Sequence, residues 1–378
     1  MNPDAAARAS LAVEKVILEM HKMRTNGTMF FAAWMLLTSL VAGAQQAKPA
    51  WAIEVHGGAG DILRATTDAK TDAAYRATLT KAIEAGGAIL QRGGTSVDAV
   101  EAAIRILEDS TLFDTGRGAV FNADGKNELD AANMDGSNLM AGSVAGVTRT
   151  RHPISAARAV MEKSPHVMLI AEGADRFAEE KGLEMVPPGF FFSEERWQAL
   201  VAQLKREGRP IPARPAGAPP APAAQSVPVA SIPASVEHHY GTVGVVAMDR
   251  KGNLAAGTST GGSQGKLPGR VGDSPIIGAG TYASNASCAV SATGVGEYFI
   301  RLGVAREVCT LVLYKGLTLQ QAADQVIHQE VESLHGVGGV IALSPDGQMV
   351  WSYNTPGMFR AWLKENGSVK VAIYNDEP

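Results

Sequence analysis

A threonine at the start of a hydrophobic run is the residue of this sequence best suited to chemistry. Thr242 lies in Gly241-Thr242-Val243-Gly244 and opens the apolar run 243–248. If the bond between Gly241 and Thr242 breaks, Thr242 gains an α-amine with a pKa near ~7.7–8.0, which is a usable base at neutral pH. A hydroxyl group beside such a base is an activated nucleophile. Gly241 suits the cleavage because glycine tolerates a strained backbone.

The residues after Thr242 predict a β-hairpin that brings a second threonine to its side. Asp249-Arg250-Lys251-Gly252-Asn253 is a turn signal, and a strand of small residues follows it from 254 to 260. Centring the hairpin on Lys251 pairs position 242 with position 260, although a bulge could shift this pairing by one residue. We therefore expect Thr260 to flank Thr242 and to form a hydrogen bond with it.

The elements that must position these threonines are predicted from periodicity and from turn signals. Helices are expected at 68–91, 97–107 (capped by Thr95 or Ser96), 155–163, 170–181, 297–314 and 319–334. Strands are expected at 51–56, within 128–148, at 286–293, and in a closing hairpin of 337–343 and 348–353. Residues 107–119 are expected to form a loop. Composition and pattern alone indicate a mixed α and β fold.

A proline-rich stretch and an apolar N-terminal run divide the chain. Many of the 19 prolines fall in 208–236, which we interpret as a disordered linker that lets a new terminus at Thr242 move away. The apolar run 29–44 follows Lys22 and Arg24 and ends in Ala42-Gly43-Ala44, the pattern of a secretory signal peptide. We expect export to the periplasm or medium, with an uncleaved anchor as the alternative.

The predicted organisation is therefore an N-terminal extension plus signal peptide at 1–44, a first fragment at 45–241 and a second at 242–378. The two fragments together are expected to form one catalytic domain. The net charge of −4 argues against a nucleic-acid partner. Cys288 and Cys309, the only cysteines, are too few for a disulfide framework or a zinc site. We interpret them as small buried hydrophobic residues, with a single bridge as the alternative.

Six short motifs occur in order between about residue 51 and about residue 362. They are His56-Gly57-Gly58-Ala59-Gly60, Met134-Asp135-Gly136, Gly241-Thr242-Val243-Gly244, Thr258-Ser259-Thr260-Gly261-Gly262, Gly269-Arg270-Val271-Gly272-Asp273-Ser274-Pro275, and Thr293-Gly294-Val295-Gly296-Glu297. In these motifs the sequence resembles the plant-type L-asparaginase / isoaspartyl peptidase family of N-terminal-nucleophile hydrolases. The resemblance implies an α+β fold, the four-layer αββα sandwich of those hydrolases.

The resemblance also implies roles for the residues that match. Thr242 would be the nucleophile exposed by cleavage after Gly241, and Thr260 its hydroxyl partner. Thr293 and Gly294 would form the oxyanion hole, since a hydroxyl and a glycine N–H can both reach a developing oxyanion.

Three further matches would bind the substrate. Arg270 would bind its α-carboxylate and Asp273 its α-ammonium group, while Gly296 would add a backbone contact. These contacts would recognise a free aspartyl head group and leave its side-chain carbonyl facing Thr242.

A sodium ion is the one metal that the resemblance implies, and no other cofactor is required for the chemistry. It would be bound by main-chain carbonyls, which suit hard cations. The matching positions are Leu107, Glu108, Ser110, Phe113, Thr115 and Arg117. Asp114, within the same loop, stands where the family usually has asparagine.

The function implied is a self-cleaving amidohydrolase that releases aspartate from β-aspartyl dipeptides and L-asparagine through a threonyl ester. Family members assemble as dimers of cleaved αβ protomers, so we expect a homodimer, with no membrane partner once the signal is removed. The nearest alternative is glycosylasparaginase, which shares the Gly269–Pro275 block but usually has aspartate before the threonine.

Two other classes compete with this interpretation. Gly257-Thr258-Ser259-Thr260-Gly261 matches the Gly-x-Ser-x-Gly elbow of serine esterases, but the glycine-rich residues after it cannot begin the helix that the elbow requires. A non-enzymatic periplasmic binding protein is the second. His238 and His239, just before the cleavage site, are interpreted as part of the leaving tail rather than as metal ligands.

Overall fold

The computed structural model describes residues 49–220 and 239–377, with residues 239 and 240 described by their backbone only. The predicted signal peptide and most of the predicted linker lie outside these residues. The chain from Pro49 onward forms one compact unit. Within the described ranges, no helix is both long enough and apolar enough to cross a membrane.

Most strands of the described residues belong to one large, mainly antiparallel sheet. It has nine strands in the order β13-β12-β1-β6-β7-β2-β3-β4, and β5 pairs with β1 beside this path. Its strands are β1 (Ala52–Gly60), β2 (Leu129–Asp135), β3 (Ala141–Val147), β4 (Met168–Ile170), β5 (His239–Tyr240), β6 (Val243–Met248), β7 (Leu254–Thr260), β12 (Gly357–Lys364) and β13 (Lys370–Tyr374).

A second sheet packs face to face against the first. In the described part of the chain it has four antiparallel strands in the order β11-β10-β9-β8. They are β8 (Thr281–Ala283), β9 (Ala289–Gly294), β10 (Gly338–Leu343) and β11 (Met349–Tyr353). Side chains of β1, β6 and β7 meet those of β9 and β10 in an apolar layer between the sheets.

Helices cover the outer face of each sheet. They are α1 (Ala69–Gln91), α2 (Ser96–Glu108), α3 (Pro153–Lys163), α4 (Ala171–Glu180), α5 (Glu194–Arg206), α6 (Gly296–Leu302), α7 (Val304–Lys315) and α8 (Leu319–Gln325). Helices α1 and α2 pack on β1, β6, β7 and β12, whereas α7 and α8 pack on the smaller sheet. The predicted four-layer αββα sandwich is therefore confirmed.

Helix α2 begins where a local capping signal places it. The Thr95 side chain accepts the N–H of Asp98, and the Asp98 side chain accepts the N–H of Thr95, which forms a capping box. Asp68 caps α1 by accepting N–H groups of the first turn. Both starts agree with the sequence prediction to within a residue.

Three predictions about elements were incomplete. The helix predicted at 297–314 is two helices, because Gly303 adopts φ 63° and ends α6. The helix predicted at 319–334 is α8 followed by a π-helical segment, Val326–Val331. Helix α5 and the strands β12 and β13 were not predicted. No regular element occurs in residues 208–220, the described part of the predicted linker.

The two cysteines are both buried and joined to each other. Cys288, just before β9, forms a disulfide with Cys309 in α7, with the two Cα atoms 5.4 Å apart. The bridge therefore joins the inner sheet to the helix layer outside it. Our first interpretation, that they are free buried hydrophobic residues, was wrong, and the alternative of a single bridge is what the fold contains.

Candidate active site

The predicted hairpin brings the two threonines together. Strands β6 and β7 pair Val243 with Ser259 and Met248 with Leu254, so the register is centred on Lys251 with no bulge. One residue beyond the first pair, the Thr242 hydroxyl donates to Thr260 Oγ1 at 3.1 Å. Both threonines are buried. The predicted register and the predicted hydrogen bond are confirmed.

The amide before Thr242 is held by the loop that contains Asp114. The Asp114 N–H donates to the Gly241 carbonyl at 3.0 Å, and the Gly261 N–H donates to the Asp114 carbonyl at 2.9 Å. A Cβ atom on Gly241 would lie 2.5 Å from Asp114 Cβ. Gly241 is not among the glycines with positive φ. Space rather than backbone strain therefore explains glycine here, which corrects our first argument.

The Asp114 side chain is buried and held in place. Its Oδ1 accepts the Val120 N–H at 2.8 Å. Burial raises the pKa of this carboxyl group to about 6, and the charge of Arg196 opposes that shift. The Asp114 carboxyl group thus holds the backbone at Val120, although burial opposes its ionisation.

The three residues predicted to bind the substrate, Arg270, Asp273 and Gly296, lie on one loop and at the start of α6. Arg270 Nε donates to Glu297 Oε1 at 2.9 Å, and Nη2 donates to Oε2 at 3.0 Å. A Cβ atom on Gly296 would lie 2.9 Å from both the N and Oδ1 atoms of Asp273. The fold thus places Arg270, Asp273 and Gly296 side by side.

Asp273 is a buried acid with an available oxygen. Burial raises the pKa of its carboxyl group to about 7, and the nearby Arg270 guanidinium works against this. Its Oδ2 atom has no hydrogen-bond partner within the described part of the chain. Buried polar atoms are normally satisfied, so an open acceptor here suits a cationic group supplied by a ligand.

Thr293 and Gly294 end strand β9 opposite Gly339 and Gly338 of β10. Two observations show which end of the sandwich holds Thr293 and Gly294. Ser291 Oγ lies against Gly244, and Ala289 belongs to the same apolar cluster as Met248 and Leu254. Strand β9 therefore runs toward the end of β6 at which Thr242 lies, and Thr293 is near that end. The described residues place Thr293 and Gly294, the predicted oxyanion donors, at the same end of the sandwich as Thr242.

The loop predicted to bind sodium has two closely approached carbonyl groups. Cβ atoms on Gly116 and Gly118 would overlap with the carbonyl oxygens of Glu108 and Phe113, respectively, so both carbonyls point into the loop. The carbonyls of Leu107, Phe113 and Thr115 already accept N–H groups of the same loop. Outside this backbone loop, the described residues contain no cluster of His, Cys, Asp and Glu side chains suited to a metal ion.

Two acidic residues near the site were not predicted to have a role. Glu297 pairs with Arg270, and its place in a quoted motif was the only signal. Asp130 is fully buried opposite Thr260, and its Oδ2 atom has no partner in the described region. Burial raises the pKa of Asp130, and the charge of Lys266 lowers it. No sequence pattern distinguishes Asp130 from an ordinary strand residue.

The serine-esterase alternative does not fit the geometry. Ser259 is fully buried in the middle of paired strands, and its hydroxyl donates to Glu108 Oε1 at 2.7 Å. His152 contacts the other oxygen of Glu108, at 3.2 Å, rather than the serine. Ser259 therefore contacts no histidine among the described residues, and it does not lie at a strand-to-helix turn. The backbone of His239 lies in β5, and His238 lies outside the described residues.

Comparison with known proteins agrees with this geometry. Residues 49–373 match a protein family described as asparaginase. The chain is 44% identical over 325 residues to an isoaspartyl peptidase of Escherichia coli, covering 86% of this chain and 96% of that protein. It is 36% identical over 328 residues to an isoaspartyl peptidase/L-asparaginase of Xenopus laevis, covering 86% and 96%. For the Mus musculus protein of that name the identity is 37% over 321 residues, covering 85% and 90%.

The αββα sandwich, with its threonine pair at one end of the central strands, defines a hydrolase of the N-terminal-nucleophile class. Within that class, the chain belongs to the asparaginase family.

Proposed function

We propose that this enzyme cleaves itself between Gly241 and Thr242 and then hydrolyses β-aspartyl dipeptides and L-asparagine. The observation that carries the proposal is the hydrogen bond from Thr242, which directly precedes strand β6, to Thr260 at the end of β7. The relatives named isoaspartyl peptidase or L-asparaginase support the substrate class. The open, buried carboxylate oxygen of Asp273 beside Arg270 supports recognition of a free amino-acid head group.

Self-cleavage requires the Thr242 hydroxyl to attack the carbonyl carbon of Gly241. The C–N bond then breaks, the nitrogen takes a proton, and an ester joins Gly241 to Thr242. Water opens this ester, which leaves a carboxylate on Gly241 and a free α-amine on Thr242. The Asp114 N–H already donates to the Gly241 carbonyl oxygen, where negative charge develops in the attack.

In hydrolysis the freed α-amine accepts the proton of the Thr242 hydroxyl, which attacks the side-chain carbonyl of the substrate. Thr293 and Gly294 stabilise the oxyanion. The leaving ammonia or amino acid takes the proton and departs, and an aspartyl ester remains on Thr242. Water activated by the same amine hydrolyses the ester and releases aspartate.

Arg270 retains capacity for the substrate while it pairs with Glu297. Glu297 engages Nε and Nη2, so the Nη1 hydrogens face no carboxylate of this pair. A guanidinium group has five N–H donors in a planar arrangement. The α-carboxylate of the substrate is therefore bound at Nη1, with Glu297 holding the guanidinium plane in orientation.

Mass spectrometry of the purified chain tests the nucleophile. We expect wild-type protein to contain a fragment running from Thr242 to Pro378. Thr242→Ala should remain a single chain without hydrolase activity. Thr242→Ser should cleave slowly and keep some activity, because the hydroxyl remains but the methyl group no longer restricts its rotamer. The Ser259→Ala variant should still cleave itself and hydrolyse substrate. The esterase alternative instead requires this variant to have no hydrolase activity. An intact wild-type chain with full activity would refute the proposal.

Substrate choice is tested by kinetics on L-asparagine, β-aspartyl dipeptides and an N4-glycosyl-asparagine. The proposal places kcat/KM for the first two classes above that for the glycosylated compound. The reverse order would favour the glycosylasparaginase alternative.

Export is proposed for the same protein, and the disulfide supports it. Disulfides persist mainly in oxidising compartments such as the periplasm and the extracellular medium. Cys288 and Cys309 are buried and bonded. N-terminal sequencing of protein from its native host should find a mature start near Gln45. Retention of residues 29–44 would indicate an anchor instead.

Sodium binding and dimer formation complete the proposal. The inward carbonyls of Glu108 and Phe113 would bind the ion and stiffen the loop that carries Asp114. A melting temperature that rises with Na⁺ at constant ionic strength, but not with the same concentration of a large organic cation, would support this site. Sedimentation of the cleaved protein should give the mass of two αβ protomers.

A further inference from the structure

Four side chains form a continuous hydrogen-bonded chain between the two sheets, here called the hydroxyl relay. His56 Nε2 lies 2.9 Å from Ser291 Oγ, and Ser291 Oγ lies 2.7 Å from Thr258 Oγ1. Thr281 Oγ1 lies 2.6 Å from Thr258 Oγ1. The four residues belong to β1, β9, β7 and β8, and all four are fully buried.

The two ends of the hydroxyl relay lie at the two halves of the active site. At one end, Thr281 Oγ1 is 3.1 Å from the carbonyl oxygen of Ser274, which directly follows Asp273. At the other end, His56 forms a hydrogen bond with the main chain of Thr242. The relay therefore begins beside the residue that follows Asp273 and ends at the residue that bears the proposed nucleophile.

The protons of the hydroxyl relay can be assigned to one direction. Burial lowers the pKa of His56 to about 3, so its ring is neutral and carries one proton. The Gly58 N–H is 3.4 Å from Nδ1, at the long limit of a hydrogen bond, so we assign the proton to Nδ1, donating to the Thr242 carbonyl. Nε2 must then accept from Ser291, Ser291 from Thr258, and Thr258 from Thr281. The single proton of Thr281 is used in this last bond, so it is not donated to the Ser274 carbonyl at the same time.

The backbone is shaped to let the hydroxyl relay form. A Cβ atom on Gly244, two residues after Thr242, would overlap with both Ser291 Oγ and His56 Nε2. Glycine at this position therefore lets the two polar groups meet directly beneath the nucleophile strand. A buried hydrogen-bond network of this kind rigidifies the fold when every polar group has a partner. Removing one hydroxyl group leaves its neighbours without a hydrogen-bond partner.

We propose that the hydroxyl relay positions Thr242 for hydrolysis, which makes Ser291, Thr258 and Thr281 positioning residues. The proposal rests on the proposed role of Thr242. It predicts that removing one hydroxyl lowers turnover more than substrate binding. If these residues served only to pack the core, turnover would depend on the shape of each side chain and not on its hydroxyl group.

A pair of substitutions at Thr258 separates these causes. Thr258→Val keeps the shape and removes the hydroxyl, whereas Thr258→Ser keeps the hydroxyl and removes a methyl group. We expect Thr258→Val to lower kcat about tenfold, the loss of roughly one buried hydrogen bond. KM should change about twofold or less. Thr258→Ser should keep kcat within about threefold of wild type. A serine variant as impaired as the valine variant, or a loss in KM alone, would overturn the proposal.

Two further variants guard the interpretation. Ser291→Ala removes the next hydroxyl without adding volume and should reproduce the kcat loss even if Thr258→Val folds poorly. Thr78→Val is the matched control, because its hydroxyl donates to the Ala74 carbonyl in α1, away from the site. This control should leave kcat unchanged.

Rates are expressed per cleaved chain, with the cleaved fraction measured by mass spectrometry. An uncleaved but active wild-type chain would refute the proposed function itself. A cleaved, active wild type whose Thr258→Val variant has the same kcat would refute the hydroxyl relay alone.

Discussion

Asp273, which we propose binds the substrate ammonium group, carries a cost for the stability of the fold. Its carboxyl group is buried beside Arg270, yet one oxygen has no partner in the described structure. Burying a carboxylate without full compensation costs free energy, which the raised pKa of about 7 expresses. A substrate ammonium group would supply the missing partner. Part of the free energy of substrate binding would therefore offset the cost of burying the Asp273 carboxylate.

This cost predicts a pH-dependent gain in stability for Asp273→Asn. The folded pKa lies above the unfolded value, so the cost is absent below about pH 4 and complete above about pH 7. Urea unfolding should therefore show the variant more stable by about 2–4 kcal/mol at pH 8 and equal to wild type near pH 4. The variant should also lose substrate binding. Asp376→Asn, which breaks an exposed pair with Arg64, is the control and should change stability little at either pH.

An equal stability of the Asp273→Asn variant and the wild type at pH 8 would mean that solvent reaches the carboxyl group. The site would then bind an ammonium group without the preformed, water-free acceptor inferred above. If the variant were more stable at pH 8 as predicted, but also differed from wild type in stability at pH 4, the amide group would be altering the packing.

At the level of elements, the sequence was most informative where structure is local. The register of β6 and β7 follows from one five-residue turn, so Thr260 could be placed beside Thr242 before any fold was known. Glycine caps and the capping box of α2 are local in the same way. The pairing of Arg270 with Glu297 and the hydroxyl relay depend on how two sheets stack, which no local pattern encodes.

The unpredicted elements have identifiable causes. Strands β12 and β13 are partly exposed and mix charged with apolar residues, so their alternation is weak in sequence. The break between α6 and α7 depends on one glycine in a segment that is otherwise a good helix. The family resemblance supplied the layer order, because periodicity alone does not say which faces of the strands meet.

The junction of β5 and β6 yields a prediction about cleavage. Gly241→Ala would place a Cβ atom 2.5 Å from Asp114 Cβ and 2.7 Å from Asp114 N. We expect the hydrogen bond on the Gly241 carbonyl to break and self-cleavage to slow by about tenfold or more. A time course of freshly synthesised protein on a denaturing gel measures this rate.

Gly173→Ala is the control for that experiment, because a Cβ atom on Gly173 would meet no atom within 4 Å. It lies in α4, where alanine is the better helix former, so cleavage should be unchanged and stability slightly higher. Normal cleavage of Gly241→Ala would show that the Asp114 loop moves freely and does not hold the scissile carbonyl.

At the scale of the whole molecule, the disulfide joins two layers of the sandwich. It closes a segment with a sequence separation of 21 residues between β9 and α7. A loop of this length restricts the unfolded chain enough to contribute roughly 3 kcal/mol. Cys288→Ala with Cys309→Ala should lower the free energy of unfolding by about that amount. Wild type unfolded in reductant is the comparison, and equal stability with and without reductant would contradict the bridge.

The order of strands in the large sheet gives the proposed cut at Gly241 a further consequence. Strand β1 precedes the cut but lies between β12 and β6, which follow it, and β2 pairs with β7 across the same division. The two pieces are thus interleaved in the large sheet, and among the described residues neither piece contains all of its strands, although the four-stranded sheet lies wholly in the second piece. After cleavage, unfolding releases two separate polypeptides, and refolding becomes an encounter between them whose rate depends on dilution. Before cleavage the protein can refold as a single chain. After cleavage, refolding requires the two fragments to associate, so the native structure is recovered less readily once it has unfolded.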